Sequence, residues 1–192
     1  VEELYGLAAL STNYNFEGET IKLTSDIILN EGHAEDWGSV IPKCAWTPIG
    51  KSVAFAGTFD GQGHTISGIY ISENTKNIGL FAQTTGTATV QDLCLKNSYI
   101  DANSQQNVGS IAGTGLGTFK GIFSNATINE PKWYAGGIVG YVNSGTLNTI
   151  ENCWYDGNIQ LQTVGSYSGG IVGTVYGSGT KLTIRNCLNS GV

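Results

Sequence analysis

A glycine-centred hexamer returns along this chain, and a chain that repeats a small unit at a short period folds by stacking that unit. Three copies are nearly identical: Val-Gly-Ser-Ile-Ala-Gly at 108–113, Ala-Gly-Gly-Ile-Val-Gly at 135–140 and Ser-Gly-Gly-Ile-Val-Gly at 168–173. Ile78-Gly-Leu-Phe-Ala82 is a looser copy and Ala56-Gly-Thr-Phe-Asp60 a weaker one. Their first glycines, Gly57, Gly79, Gly109, Gly136 and Gly169, lie 22, 30, 27 and 33 residues apart. A second signature follows each copy: Ile66-Ser-Gly-Ile69, Val90-Gln-Asp-Leu93, Phe119-Lys-Gly-Ile122, Ile150-Glu-Asn-Cys153 and Ile184-Arg-Asn-Cys187. A third apolar point recurs at Ile100, Ile128, Ile159 and Val192.

Each unit therefore holds three short strand-like pieces separated by Gly, Asn, Ser and Thr corners. Such pieces are too short to be stable alone, but stacked coils pair each strand with its equivalents above and below, about 4.8 Å away. The expected fold is all-β: a right-handed parallel β-helix of about six coils of three short strands. Two inward ladders follow from the alignment. One is Phe59, Phe81, Ile111, Ile138 and Ile171; the other is Ile66, Val90, Phe119, Ile150 and Ile184. Variable spacing belongs to corners, where insertions are tolerated. A propeller blade needs about 40 residues or more, and the glycines lack collagen's three-residue period.

Leu4, Leu7, Ala8 and Leu10 fall at roughly helical spacing, so residues 1–19 read as an N-terminal cap whose short helix covers the open end of the solenoid. Residues 20–56 read as a first coil carrying an inserted loop at 30–54, and 57–192 as five repeat coils of one domain. Val192 stops on a ladder position and the chain opens Val-Glu-Glu, so the sequence reads as a piece of a longer protein.

The net charge of −6 argues against nucleic acid or anionic membrane as a partner, since both require a basic face. From residue 103 onward the cations are Lys120, Lys132, Lys181 and Arg185. No apolar run reaches the roughly 18 residues that span a bilayer, so no membrane insertion is expected in this segment. The four cysteines, Cys44, Cys94, Cys153 and Cys187, lack paired zinc spacing and read as buried small hydrophobes. Cys153 and Cys187 hold equivalent positions, and a ladder of free thiols is expected there, because in-register side chains set a disulfide dihedral badly.

These residues resemble the GLUG-repeat family of bacterial surface proteins. The string Trp46-Thr-Pro-Ile-Gly50, then Phe55-Ala-Gly-Thr-Phe-Asp-Gly-Gln-Gly-His-Thr-Ile66, looks like the segment that precedes such repeats, and Ile78–Ala82 with the three hexamers looks like the repeats. Members occur in large adhesins and in non-catalytic regions of M26-class immunoglobulin A1 peptidases. The resemblance implies a parallel β-helix on a secreted or cell-surface bacterial protein. It brings no function of its own, and the His-Glu-x-x-His signature of the peptidases is absent.

Asp60-Gly-Gln-Gly-His64 reads either as a catalytic or metal pair or as a tight turn with glycines at positive φ and Asp60 bonding the turn backbone; the turn is adopted. Glu31, His33, Glu35 and Asp36 gather possible ligands, yet a solvated acidic loop is the reading taken over a calcium site. Carbohydrate-cleaving β-helices need paired carboxylates or a calcium site on one coil face. Across the last three coils the carboxylates are Glu130, Glu151 and Asp156, and Asp92 is expected to face outward. Asn125-Ala-Thr127 matches an N-glycosylation acceptor and is expected to carry nothing in a bacterial protein. Tyr134 and Tyr167 are equivalent, Trp133 adjoins Tyr134, and Asn77 and Asn107 hold the same position earlier. This corner could contact ligand, because aromatic faces pack on sugars, or it could simply cover the solenoid.

The chain is therefore expected to be a non-catalytic structural or adhesive module without metal or cofactor. Its expected partners are glycans or proteins and flanking domains of the same chain, and its candidate binding residues are Trp133, Tyr134 and Tyr167. The alternative is a polysaccharide lyase or hydrolase with a site within residues 30–64, around Glu31, Asp36, Asp60 and His64.

Overall fold

The computed structural model describes residues 1–73, 75–102, 106–129, 131–143, 147–161 and 166–192. Glu130, counted above among the late carboxylates, lies outside them. The chain forms a parallel β-solenoid of about four turns with one N-terminal helix, Glu2–Leu10. The longest sheet runs, in order, through Thr20–Lys22, Thr58–Asp60, Thr89–Lys96, Thr118–Ser124, Leu147–Glu151 and Lys181–Arg185. Three further sheets have four strands each, led by Asn77–Ile78, Phe81–Gln83 and Tyr70–Ile71. The pairings between successive turns are parallel.

The expected count of six coils does not hold. Only four of the five supposed copies form the same bend: Thr58–Asp60, inside the weakest copy, belongs to the long sheet and pairs with Thr20–Lys22. Nor is each hexamer one strand. It is two strands around a bend, as in Asn107–Gly109 and Ala112–Thr114, which lie in different sheets, so a turn carries four strands and not three.

The glycines explain why the bend is so tight. A Cβ on Gly113 would lie 2.5 Å from Ile78 N, and one on Gly140 2.6 Å from Val108 N and O. Backbone meets backbone there, and no side chain fits between.

Two ladders are shifted from expectation. Leu80, not Phe81, stands level with Ile111, because Ile78 pairs with Val108 while Phe81 pairs with Ala112. The first corner is one residue shorter. Phe59, not Ile66, stands level with Val90, Phe119, Ile150 and Ile184. Ile66 pairs with Leu95 instead, because Gly61–His64 inserts two extra residues where the next turn has only Asp92 and Leu93. Ile71 heads the ladder of Ile100, Ile128 and Ile159. Val192 falls one residue short of it: its N–H reaches Gly157 O and its carbonyl accepts from Ile159 N–H, a bracket around Asn158 that leaves its side chain 91% exposed.

The long strands bend at one position per turn. Asp92, Gly121, Asn152 and Asn186 all have φ between +51° and +63°, a left-handed conformation that Gly, Asn and Asp tolerate best. Just before the inward ladder runs a register column of six threonines: Thr20, Thr58, Thr89, Thr118, Thr149 and Thr183. β-branched side chains suit a half-exposed pleated surface.

The N-terminal helix packs Leu4, Leu7 and Ala8 into the core, although Leu10 points away and is 63% exposed. Residues 46–56 correct the inserted-loop reading. Trp46, Ile49 and Phe55 are fully buried, Ile49 and Phe55 bridge to Phe81 and Thr84, and Phe55 and Phe59 pack on Phe81 at 5.1 and 5.5 Å. This segment plugs the solenoid beneath the helix. Ser11 joins the two, donating to Ala8 O at 2.6 Å and accepting from Gly50 N–H at 3.0 Å.

Candidate functional site

The corner that carries Trp133, Tyr134 and Tyr167 is built by the hexamer bend. Asn77, Asn107, Tyr134 and Tyr167 occupy one column on successive turns, as their spacing predicts. Facing them across the bend is a second column, Gln83, Thr114, Tyr141 and Thr174, which the sequence reading missed. Its signal was available, because Thr114 and Tyr141 each stand seven residues after Asn107 and Tyr134.

The two columns bond to each other. Asn107 Nδ2 donates to Asn77 Oδ1 at 2.7 Å and to Thr114 Oγ1 at 3.2 Å, and Thr114 Oγ1 donates to Asn77 Oδ1 at 2.9 Å. One turn beyond Asn107 and Thr114, aromatic contacts replace this network. Tyr134 stacks on Tyr141 at 5.2 Å and 23°, and meets Tyr167 in a tilted contact at 5.8 Å and 34°. Burial first, and then the neighbouring Tyr134, hold the Tyr141 phenol above its ordinary value. The strip thus grades from amide and hydroxyl groups to aromatic rings along the solenoid axis. Tyr134 spends its ring faces on its neighbours. Trp133, 42% exposed and 6.4 Å from Tyr134, and Tyr167, 59% exposed, are the rings with surface to offer. A depression of about 280 Å³ opens beside the polar end, lined by Lys76, Asn77, Gln83, Asn107, Thr114 and Tyr141 among others.

The residues of the catalytic alternative are not gathered into one cleft. Glu31, His33, Glu35 and Asp36 line a depression of about 420 Å³ with Trp37 and Pro42, and neither Asp60 nor His64 is among its lining residues. The acidic loop is docked, not free. Asn97 holds it by accepting from Ala34 N–H at 2.9 Å and donating to Gly32 O at 2.8 Å. Trp37 packs edge-on against Tyr70 at 6.3 Å, and Tyr70 stacks on Tyr99.

The Asp60–His64 stretch is a turn, in which Asp60 Oδ1 accepts from Gln62 N–H at 3.0 Å and Gln62 and Gly63 carry the positive φ; Gly61 does not. His64 meets Asp26, with Nδ1 to Oδ1 at 3.2 Å. The Thr65 N–H bonded to Asp26, and then His64, hold that carboxyl below its ordinary value.

All four cysteines are free thiols, but only Cys153 is buried, and Cys44 is exposed, against the expectation that all four lie in the core. Burial pushes the Cys153 thiol up to about 12. Among the described residues no three His, Cys, Asp or Glu side chains form a metal-binding group.

Fold and faces together define a parallel β-solenoid with polar and aromatic side chains ranked in columns on its outside. Among curated proteins the chain is similar to halomucin of Haloquadratum walsbyi, with 29% identity over 150 residues, 77% of this chain and 2% of halomucin. The chain therefore spans a small fraction of that relative's length. No family model matches the chain, and no solved structure does. No helix among the described residues is long and apolar enough to cross a membrane.

Proposed function

We propose that this chain is a non-catalytic module of a larger secreted or cell-surface bacterial protein of the GLUG-repeat kind, a right-handed solenoid that holds its outer faces out to glycans or proteins. The observation that carries the reading is the corner strip: two columns of polar and aromatic side chains kept in register over four turns. A regular solenoid suits presentation, because each turn adds the same faces at a fixed spacing. The likeness to a stretch of halomucin, by its name a mucin-type protein, is compatible with this role. The candidate acids and base of the catalytic alternative are spread over a docked loop and a separate turn, whereas acid–base cleavage requires them around one substrate position.

The test pairs a glycan-array screen of the purified chain with a cleavage assay against a polysaccharide panel. Binding weakened by replacing Trp133, Tyr134 or Tyr167 with Ala, and no new reducing or unsaturated ends, is the expected result. Polysaccharide cleavage lost on replacing Asp60 or Glu31 would overturn the reading.

A further inference from the structure

The outer face of the long sheet carries a second aromatic feature, away from the corner strip. Just past the bend, Cys94, Phe123, Trp154 and Leu188 share one register column. Polar columns flank it, with Asn152 and Asn186 on one side and Asp156 and Ser190 on the other. Trp154 is 43% exposed. Its Nε1 donates to Ser190 Oγ, one turn on, at 2.7 Å, and that hydroxyl donates to Asp156 Oδ1 at 2.6 Å. Phe123 meets the indole edge-on at 5.0 Å and 74°. The ring is thus held from two directions and still keeps open surface.

That arrangement has a chemical meaning. A mobile surface indole loses rotamer freedom when it binds, and this ring is already ordered. Its one donor is engaged by Ser190, so the ring offers apolar surface while neighbouring amide and carboxylate groups offer hydrogen bonds. An apolar face bordered by hydrogen-bonding groups is the complement of a pyranose, whose C–H face is ringed by hydroxyls. On this face Arg185 pairs with Glu151, the Lys96 ammonium sits 5.7 Å over the Phe123 ring, and Asp156 adds a carboxylate beside the indole. With a net charge of −6 as well, the face repels an anionic polymer, whereas a neutral polysaccharide meets no such repulsion.

We propose that Trp154, with Asn152 and Asp156 beside it, is a binding platform for a neutral polysaccharide laid on the outer face of the long sheet. The proposal rests on the surface-module reading, but its residues lie apart from the corner strip. Native-gel retardation in soluble xylan, galactomannan and mixed-linkage glucan, with alginate as the anionic comparison, tests it on the whole chain. Retardation by at least one neutral polymer is expected, stronger than by alginate. Trp154→Ala is expected to weaken it about tenfold or more, as for an aromatic anchor, Trp154→Phe less, and Trp133→Ala about twofold at most. If Trp154→Ala lowers the melting temperature, Asp156→Ala, which frees Ser190 and so loosens the ring, is expected to weaken binding in its place. Binding that survives both Trp154→Ala and Asp156→Ala but is lost in Trp133→Ala or Tyr167→Ala overturns this site and leaves the glycan reading standing. No retardation by any neutral polymer overturns the platform, while the surface-module reading is then decided by the cleavage assay.

Discussion

Tyr134 stacks on Tyr141 with planes 23° from parallel, although the two residues belong to different sheets. One turn below, the same two positions hold Asn107 and Thr114, joined by a hydrogen bond. In these two turns the hexamer bend is therefore clamped at its mouth by the pair that the turn provides, with backbones in close approach around the glycines at its closed end. A double-mutant cycle with Tyr134→Ala and Tyr141→Ala, read by urea unfolding, should give a coupling of about 0.5–1.5 kcal/mol. Additive losses would mean that the rings merely lie side by side.

The closed end is less forgiving than the mouth. Gly140→Ala would place a Cβ 2.6 Å from Val108 backbone atoms, which cannot swing aside as a side chain can. Misfolding, or a loss of about 3 kcal/mol or more, is expected from such overpacking. Gly6→Ala is the matched control. Gly6 lies within the N-terminal helix with nothing within 4 Å of an added Cβ, so the change should stabilise by about 0.5–1 kcal/mol. Thermal melts of the two variants that move in the same direction would refute this account of the bend.

These contrasts also show what the repeat made legible. The column Asn77, Asn107, Tyr134 and Tyr167 could be read from spacing because its distance to the hexamer glycine is constant. Where a corner changed length, the alignment slipped. The bend after Ile78 is one residue short, which moved Phe81 onto Leu80's ladder, and the Gly61–His64 turn is two residues long in excess, which exchanged Ile66 for Phe59. Indels at corners are energetically mild, so a periodic pattern does not record them. Trp46, Ile49 and Phe55 were missed for another reason: the plug occurs once, and self-similarity detects only what recurs. The threonine column does recur, one residue before each long-sheet ladder position, and was visible in principle.

Thiol reactivity separates the cysteines. Cys44 is exposed, whereas Cys153 is buried with its thiol pushed up to about 12, so the nucleophilic thiolate is scarce at neutral pH. Iodoacetamide at pH 8 should label Cys44 first and Cys153 last in the folded protein, with all four labelled in urea. Peptide mass mapping reads the order, and rapid native labelling of Cys153 would contradict its burial.

The turn that aligned so misleadingly makes a pH-dependent contact. Asp26 accepts from Thr65 N–H at 2.8 Å and faces His64 Nδ1 at 3.2 Å, and its carboxyl is held below the ordinary value by the first bond and then by the second. A carboxyl with a lowered folded pKa binds fewer protons folded than unfolded. Its stabilising effect is therefore complete above the unfolded value, about 3.9, and disappears as pH falls through the lower folded value. Urea midpoints for the native chain and Asp26→Asn should differ at pH 6 in favour of the native chain, and the gap should narrow from about pH 4 downward. The group is solvent-exposed, so the gap should also shrink as salt is raised. A gap that stays constant from pH 6 to pH 2.5 would show that the Thr65 bond persists with a protonated carboxyl and contributes nothing to acid sensitivity.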